Sequence, residues 1–459
     1  VKPSRFPHSL VLIFAMIVVA QIATYLLPAG SYDRLEDPVS GRQMVVAGTY
    51  HVIEDATPLP WHATLTKIPG GMAEAQDIIF FVFIVGGVIA VVRATGAIDA
   101  LIAAAIRHLG GKPILLVAGM TTLFAIGSST IGMAEEYMPF IPLLVMMCLA
   151  LKMDAVVAMG IVYLGAGVGY GCASFNPFTV QIGQRIAELP ITSGWGVRAW
   201  LLLATLVVAV VHIMQYARRI QRDPSRSLVK DVDYSSGYEM PEDVALTTPR
   251  VFVLVAFALM IGLFVWGSSN HEWYLTELSG LFFGLALIAA IAGKLTPNRV
   301  AREFCSGAAE MTTTALLIGF ARTIEQVLTD GQVIDTVIHG MAQPLQSAGP
   351  DIAAVGMFGV QSLCNFFIPS GSGQAYVTMP LMVPLADVVE VKRQVAVLAY
   401  QFGDGFTNTI VPTNALLMGM LALGKIPYER WLRFIVPFLL KVSVVAIIAL
   451  VLAVHLGWE

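Results

Sequence analysis

Charge is scarce in this sequence. Asp, Glu, Lys and Arg make up 13% of its 459 residues, against about 25% in soluble globular proteins. Cysteine is scarce as well. Cys148, Cys172, Cys305 and Cys364 stand apart, each in or near an apolar segment, with no CxxC and no Cys/His spacing. No metal centre is indicated, and the four read as small buried apolar residues. The net charge of −4 gives no footing for a nucleic-acid role. No G-x-x-x-x-G-K-[ST] loop occurs, so the chain carries no evident ATP engine of its own. Neither H-E-x-x-H nor G-x-S-x-G occurs, so a hydrolytic enzyme lacks its usual signatures.

What is abundant is apolar: 57% of the residues are hydrophobic. Runs at 9–27, 196–217, 250–267, 275–293 and 428–454 are each near the ~20 residues a membrane helix requires. The first run is longer than a signal-peptide core and no A-x-A site follows it, so it reads as a retained helix. Two long polar stretches remain, 28–76 and 218–249. The second holds Arg218, Arg219, Arg222, Arg226 and Lys230 beside a helix end. Positive-inside bias places it in the cytoplasm and 28–76 outside.

Regions 113–150 and 350–390 are apolar but punctuated by polar residues. Reading each as a hairpin that enters and leaves on one side sorts the Lys and Arg residues most cleanly. The expected fold is an all-α polytopic membrane protein with about nine transmembrane helices plus two re-entrant hairpins. Its N-terminus is cytoplasmic and its C-terminus external, in a cytoplasmic (inner) membrane.

Weak internal matches recur in order. TGAIDALI (95–102) pairs with DGQVIDTVI (330–338), VAGMTTLF (117–124) with AVGMFGVQ (354–361), and MPFIPLL (138–144) with MPLMVPL (379–385). The Arg-x-Trp-Leu of 198–201 pairs with the Arg-Trp-Leu of 430–432, and the offset is nearly constant, 235 to 241 residues for the first three matches and about 232 for the last. The copies begin on opposite sides, which makes an inverted repeat of the kind common in secondary transporters. The expected units are a first helix and external loop (1–65), a first repeat (66–218), a cytoplasmic linker (219–249), scaffold helices (250–301) and a second repeat (302–459).

Each copy contains two stretches that a helix tolerates poorly. They fall near Gly127–Thr130, at 173–177, at 369–373 and within GDGFTNTIVPTN (403–414). Irregular backbone facing lipid costs several kcal/mol per unpaired group, so the breaks are expected to converge on a sheltered polar site near the midplane. Half-helix N-termini there suit a carboxylate. Unwound carbonyls suit Na+.

Among ionisable residues, Asp404 lies inside QFGDGFTN. A carboxylate at membrane depth needs a cation, a proton or a donor cluster, so Asp404 is a candidate coupling-ion or proton site. Glu135 and Glu136 follow the first hairpin tip. Helical neighbours point about 100° apart, so at most one is expected to face the site. Glu136 is the second coupling candidate, and one of the pair is expected to pin the hairpin to a backbone donor. Arg322 and Glu325 are spaced i,i+3 and read as a neutralising pair. Segments 97–109 and 331–346 read as short amphipathic helices, either interfacial or acting as arms to a moving hairpin.

GSSTIGMAEEYMPF, CASFNPFT, NFFIPSGSGQA and GDGFTNTIVPTN resemble the YfcC-type branch of the anaerobic C4-dicarboxylate carrier (DcuC-like) family, within the larger ion-transporter superfamily. The resemblance implies a homodimer with scaffold and transport domains and an elevator-type movement of the hairpin domain. It implies a substrate site made of Ser128, Ser129 and Thr130, of Ser174 and Asn176, of Ser370, Gly371 and Ser372, and of Thr407, Asn408, Thr413 and Asn414. Superfamily members carry Ser-Asn-Thr at the hairpin tips; this chain has Ser-Ser-Thr and Ser-Gly-Ser.

The leading reading is a non-enzymatic secondary transporter moving a small carboxylate-bearing metabolite. A C4-dicarboxylate or related organic anion comes first and a basic amino acid second. Coupling would be to Na+, H+ or counter-substrate. A channel, an intramembrane enzyme and a permease subunit are the competing classes. The expected partners are a small solute, the bilayer and a second copy, with no nucleic acid and no cofactor beyond Na+.

Overall fold

The structure, a computed structural model, describes residues 9–36, 43–101, 104, 113–130, 132–191, 193–234, 245–271, 273 and 275–458. Helices dominate. In the first half they are α1 (Ser9–Leu26), α2 (Ala63–Thr66), α3 (Ile68–Glu74), α4 (Gln76–Ala94), α5 (Pro113–Thr130), α6 (Phe140–Ala150), α7 (Ala155–Gly171), α8 (Val180–Ile186) and α9 (Trp195–Arg222). In the second half they are α10 (Thr248–His271), α11 (Leu275–Ala292), α12 (Pro297–Glu310), α13 (Thr312–Asp330), α14 (Ile334–Ala342), α15 (Pro350–Phe367), α16 (Gly371–Val388), α17 (Arg393–Thr407), α18 (Ala415–Leu423) and α19 (Tyr428–His455).

Five of these are long and apolar enough to cross a membrane: α4, α5, α9, α11 and α19. The pair α12 and α13, bent by 42° at their junction, supplies a sixth if read as one span. The apolar runs read from the sequence fall on α1, α9, α10, α11 and α19. These five or six candidate spans are fewer than the nine crossings expected from the sequence. Helices α7 and α17 have only 17 and 15 residues and are buried almost throughout. Helix α7 is apolar on all sides and belongs inside protein, while α17 buries Gln394, Gln401 and Asp404 against it and its neighbours.

Two bodies are built from these elements. In one, α4 packs on α11, α12 and α13, while α13 also packs on α3 and α1. In the other, α7 and α17 form a central pair wrapped by α5, α6, α8, α9, α15, α16 and α19. The central pair approaches very closely. A Cβ on Gly405 of α17 would lie 2.1 Å from the Gly171 backbone nitrogen of α7. Only glycine permits that spacing, the small-residue route to tight helix contact in membranes. The bodies meet where α13 packs on α18.

The polar stretch after α1 holds four short strands that the sequence did not announce. Strand β1 (Gly30–Ser31) pairs antiparallel with β4 (His51–Val52), and β2 (Arg34–Glu36) with β3 (Gln43–Val45). Ladders this short carry no readable alternation. Strand β1 docks on α14 and β3 on α16, and the Arg34 guanidinium grips both carboxylate oxygens of Asp335 on α14 at 2.8–2.9 Å. Of the two expected amphipathic segments, 331–346 contains α14 followed by a 3-10 turn. Segment 97–109 is helical over 97–101 and otherwise lies mostly outside the described residues.

The broken stretches lie close to where the sequence places them, with three corrections. Gly127–Thr130 is still helical, and described non-helical backbone begins at Gly132. Gly371–Gly373 opens α16 because the Ser370 side chain caps it, accepting from the Gly373 amide; the break there is only 368–370. Residues 403–407 complete α17, and unwinding occupies 408–414. The break near 173–177 stands, spanning 172–179.

Candidate functional site

The first two breaks are zipped to each other. The Ser174 and Phe175 amides donate to the Ser129 carbonyl at 3.1 and 3.0 Å, and the Ser174 amide also donates to Ser129 Oγ. Asn176 Nδ2 donates to the Ser128 carbonyl at 2.8 Å, while Asn176 Oδ1 accepts from the Phe178 amide. Ser128 Oγ donates to the Met133 carbonyl at 2.8 Å, and Thr130 Oγ1 bonds back to the Ile126 carbonyl. Tyr170 OH reaches the Gly132 carbonyl at 2.5 Å. Backbone groups freed by unwinding are thus paired within the protein.

The second two breaks are joined in a parallel way. Asn365 Nδ2, at the end of α15, donates to the Asp404 carbonyl at 3.1 Å and to Thr407 Oγ1 at 2.9 Å. Thr413 Oγ1 donates to the Phe366 carbonyl. Asn414 Nδ2 donates to Asn408 Oδ1, and Asn408 Nδ2 to Asp404 Oδ1 at 2.8 Å. From behind, Trp431 Nε1 and Tyr428 OH donate to the Thr409 and Ile410 carbonyls.

All four breaks border one cavity of about 530 Å³. Gly132–Glu136 come from the first, Phe178 and Thr179 from the second, Pro369 and Ser370 with Gly371 and Ser372 from the third, and Asn408, Thr409, Thr413 and Asn414 from the fourth. The facing wall belongs to the other body: Glu74, Asp77, Ile78, Phe264, Leu275 and Arg322. Asp404 lies at the base, 1% exposed. Its Oδ2 has no hydrogen-bond partner among the described residues, nor do Thr179 Oγ1 and Asn365 Oδ1. A Cβ on Gly371 would lie 2.9 Å from Asp404 Oδ2 and 2.6 Å from Thr179 Cγ2. Glycine at 371 therefore keeps the approach to that carboxylate open.

Of the site residues read from the sequence, Ser370, Gly371, Ser372, Asn408, Thr413, Asn414, Asp404 and Glu136 line the cavity. Ser128, Ser129, Thr130, Ser174, Asn176 and Thr407 do not; Ser128, Ser129, Ser174 and Asn176 are buried in the zipper just described. Glu135 and Glu136 both reach the cavity, contrary to the one-face expectation. They occupy a 3-10 turn rather than an α-helix, so the α-helical angle does not apply. Glu136 is the pin: its Oε2 accepts from the Ala134 amide at 2.7 Å. Arg322 is paired with Glu325 as expected and with Glu74 as well.

Sequence reasoning missed the facing wall, Glu74 and Asp77 above all. It also missed Tyr163, Tyr170, Thr179 and Asn365. Asn365 was findable: it is a lone amide in the apolar run SLCNFFI just before a break. The charge of the lining is lopsided. Glu74, Asp77, Glu135, Glu136 and Asp404 face a single basic side chain, Arg322, among the described lining residues.

A helical protein with several apolar spans and a polar cavity walled by broken helices belongs to the class of membrane transporters. The family is equally plain. The model of the family described as C4-dicarboxylate anaerobic carrier (DcuC) matches residues 6–455, and the chain belongs to that family. Among relatives, the "Putative basic amino acid antiporter YfcC" of Escherichia coli (strain K12) is 31% identical, covering 94% of each chain. An uncharacterized protein of Haemophilus influenzae is 26% identical over 99% of this chain and 98% of its own. Among solved structures, the YdaH transporter of Alcanivorax borkumensis aligns over 98% of this chain and 99% of its own. That alignment has 16% identity and a TM-score of 0.43.

Proposed function

We propose that the chain is a secondary active transporter of elevator type whose solute carries a cationic group beside a carboxylate, as a basic amino acid does. The observation that carries this reading is the lining: five carboxylates against one guanidinium. A dianion entering that cavity meets like charge at short range. A cation meets partners, and water-excluded carboxylates attract it more strongly than exposed ones. The carboxylate of the solute is assigned to the start of α16, where Ser370, Gly371 and Ser372 border the cavity at a helix N-terminus. The name of the 31% identical relative agrees with this reading.

Asp404 is assigned the coupling role. A buried carboxylate with one oxygen unpaired calls for Na+ or a proton; Thr179, whose Oγ1 is also unpaired, packs its Cγ2 methyl beside Gly371, next to the same carboxylate. Movement of the hairpin body against the scaffold fits a cavity with one wall from each. A homodimer in the inner membrane, N-terminus cytoplasmic and C-terminus external, completes the proposal.

A C4-dicarboxylate is the second reading, favoured by the helix N-terminus at Ser370 and by the family description. Exchange in proteoliposomes separates the two. Vesicles holding the purified chain and loaded with L-lysine are expected to take up labelled L-lysine, with excess succinate leaving uptake unchanged. Succinate exchange without lysine exchange would overturn the cationic reading in favour of the second.

A further inference from the structure

Arg322 is the one basic side chain among the described residues of the cavity wall, and it is already engaged. Its Nε donates to Glu74 Oε2 at 3.1 Å and its Nη1 donates to Glu325 Oε2. The arrangement is built into the scaffold. Glu74 ends α3, while Arg322 and Glu325 lie three residues apart on α13. Helices α3 and α13 come close because Gly71 lacks a side chain: a Cβ there would lie 2.2 Å from Thr323 Oγ1 and 2.8 Å from the Thr323 backbone. That contact, three residues from Glu74 and one from Arg322, brings acid and guanidinium together.

A guanidinium grips carboxylates through a planar fork of donors. Left uncovered on this wall, Arg322 would hold an anionic solute to the scaffold. Such a hold would also span the boundary between the two bodies, so it would have to break in every cycle. We propose that Glu74 is a specificity-determining residue. With Glu325 it occupies Arg322 and denies dianions a foothold on the fixed wall, leaving solute recognition to the hairpin body. This rests on the proposed passage of a cation-bearing solute through the same cavity.

The test uses the purified full chain as wild type, Glu74→Gln, Glu325→Gln and the double variant Glu74→Gln/Arg322→Gln. Succinate is titrated while the melting temperature is followed. Removing either acid is expected to lower the succinate concentration giving half the maximal stabilisation by about tenfold or more, the worth of one charge-assisted hydrogen bond. The double variant is expected to lose that gain. The idea fails if Glu74→Gln responds to succinate as the wild type does, or if the double variant keeps the gain. Lysine exchange by the wild type, measured alongside, reports on the transport reading separately. Its absence would sink that reading, while the succinate titration still decides the role of Glu74.

Discussion

The two halves of the body built around α7 and α17 use similar chemistry for different ends. In the first half, Ser128, Ser129, Ser174 and Asn176 spend their polar atoms on one another's backbone and stay out of the cavity. In the second half, Asn408, Thr413 and Asn414 are also hydrogen-bonded, yet they border the cavity with Ser370, Gly371 and Ser372, and Asp404 keeps one oxygen unpaired. A Ser- and Asn-rich break is therefore not a binding site by composition alone. What separates the Ser128–Asn176 zipper from the second-half cluster is whether pairing is complete, Thr179 Oγ1 being the one first-half atom that shares the unpaired state of Asp404 Oδ2 among the described break residues lining the cavity. A completed zipper is a structural joint, whereas an incomplete one facing a cavity is where a solute or ion finds partners.

The comparison can be broken at four places. Asp404→Asn carries the largest expected effect. Uptake should fall about a hundredfold or more, as for loss of a group required in the transport step, and Na+ or pH dependence should vanish. Folding should survive, because an amide oxygen still accepts from Asn408 Nδ2. Uptake that keeps its full ion dependence would remove Asp404 from coupling. Asn176→Ala should act the opposite way. It strips partners from the Ser128 carbonyl and the Phe178 amide, at about 1–3 kcal/mol of stability, while apparent solute affinity stays near wild type. A normal melting curve with collapsed affinity would invert the assignment of the two halves.

Ser370→Ala is a milder probe. It removes the α16 cap, worth about 1 kcal/mol, and should raise the half-saturating solute concentration several-fold. No change in affinity would take the helix start out of the site. Asp231→Asn, in the linker away from both halves, should matter least. The Arg430 side chain holds the Asp231 carboxyl down to about 2, but the aspartate is 52% exposed and screened, so the loss is under about 1 kcal/mol. A lowered folded-state value means the contribution is fully present above the ordinary carboxylate range and is lost as pH falls toward about 2. The variant should flatten the pH dependence of melting in that acid window and leave uptake alone. An uptake defect would tie the linker to the site.

Much of this was legible in the sequence. Long apolar runs with few charges located α9, α11 and α19, and the clusters of Gly, Ser, Asn and Pro located the breaks to within a few residues. The errors sit at helix ends, where a local cap decides. Ser370 lets Gly371–Gly373 enter a helix despite their composition, and Thr130 bonds back to Ile126 within α5. Periodicity does not register such contacts. The site itself was half visible. Residues beside the breaks announced themselves, but the facing wall did not. Glu74 and Arg322 are 248 residues apart, and their meeting depends on the close approach at Gly71, which no spacing rule reports.

The central claim is that the solute rests against the second-half break and not within the first-half zipper. Thiol labelling tests it most directly. With the exposed Cys305 replaced by serine, single cysteines are placed at Ser372 and at Ser129 and treated with a water-soluble maleimide, with and without L-lysine. The account predicts that the position-372 thiol labels and is protected by lysine, while the position-129 thiol stays unlabelled in either condition. Labelling and lysine protection at position 129, with position 372 indifferent, would contradict it.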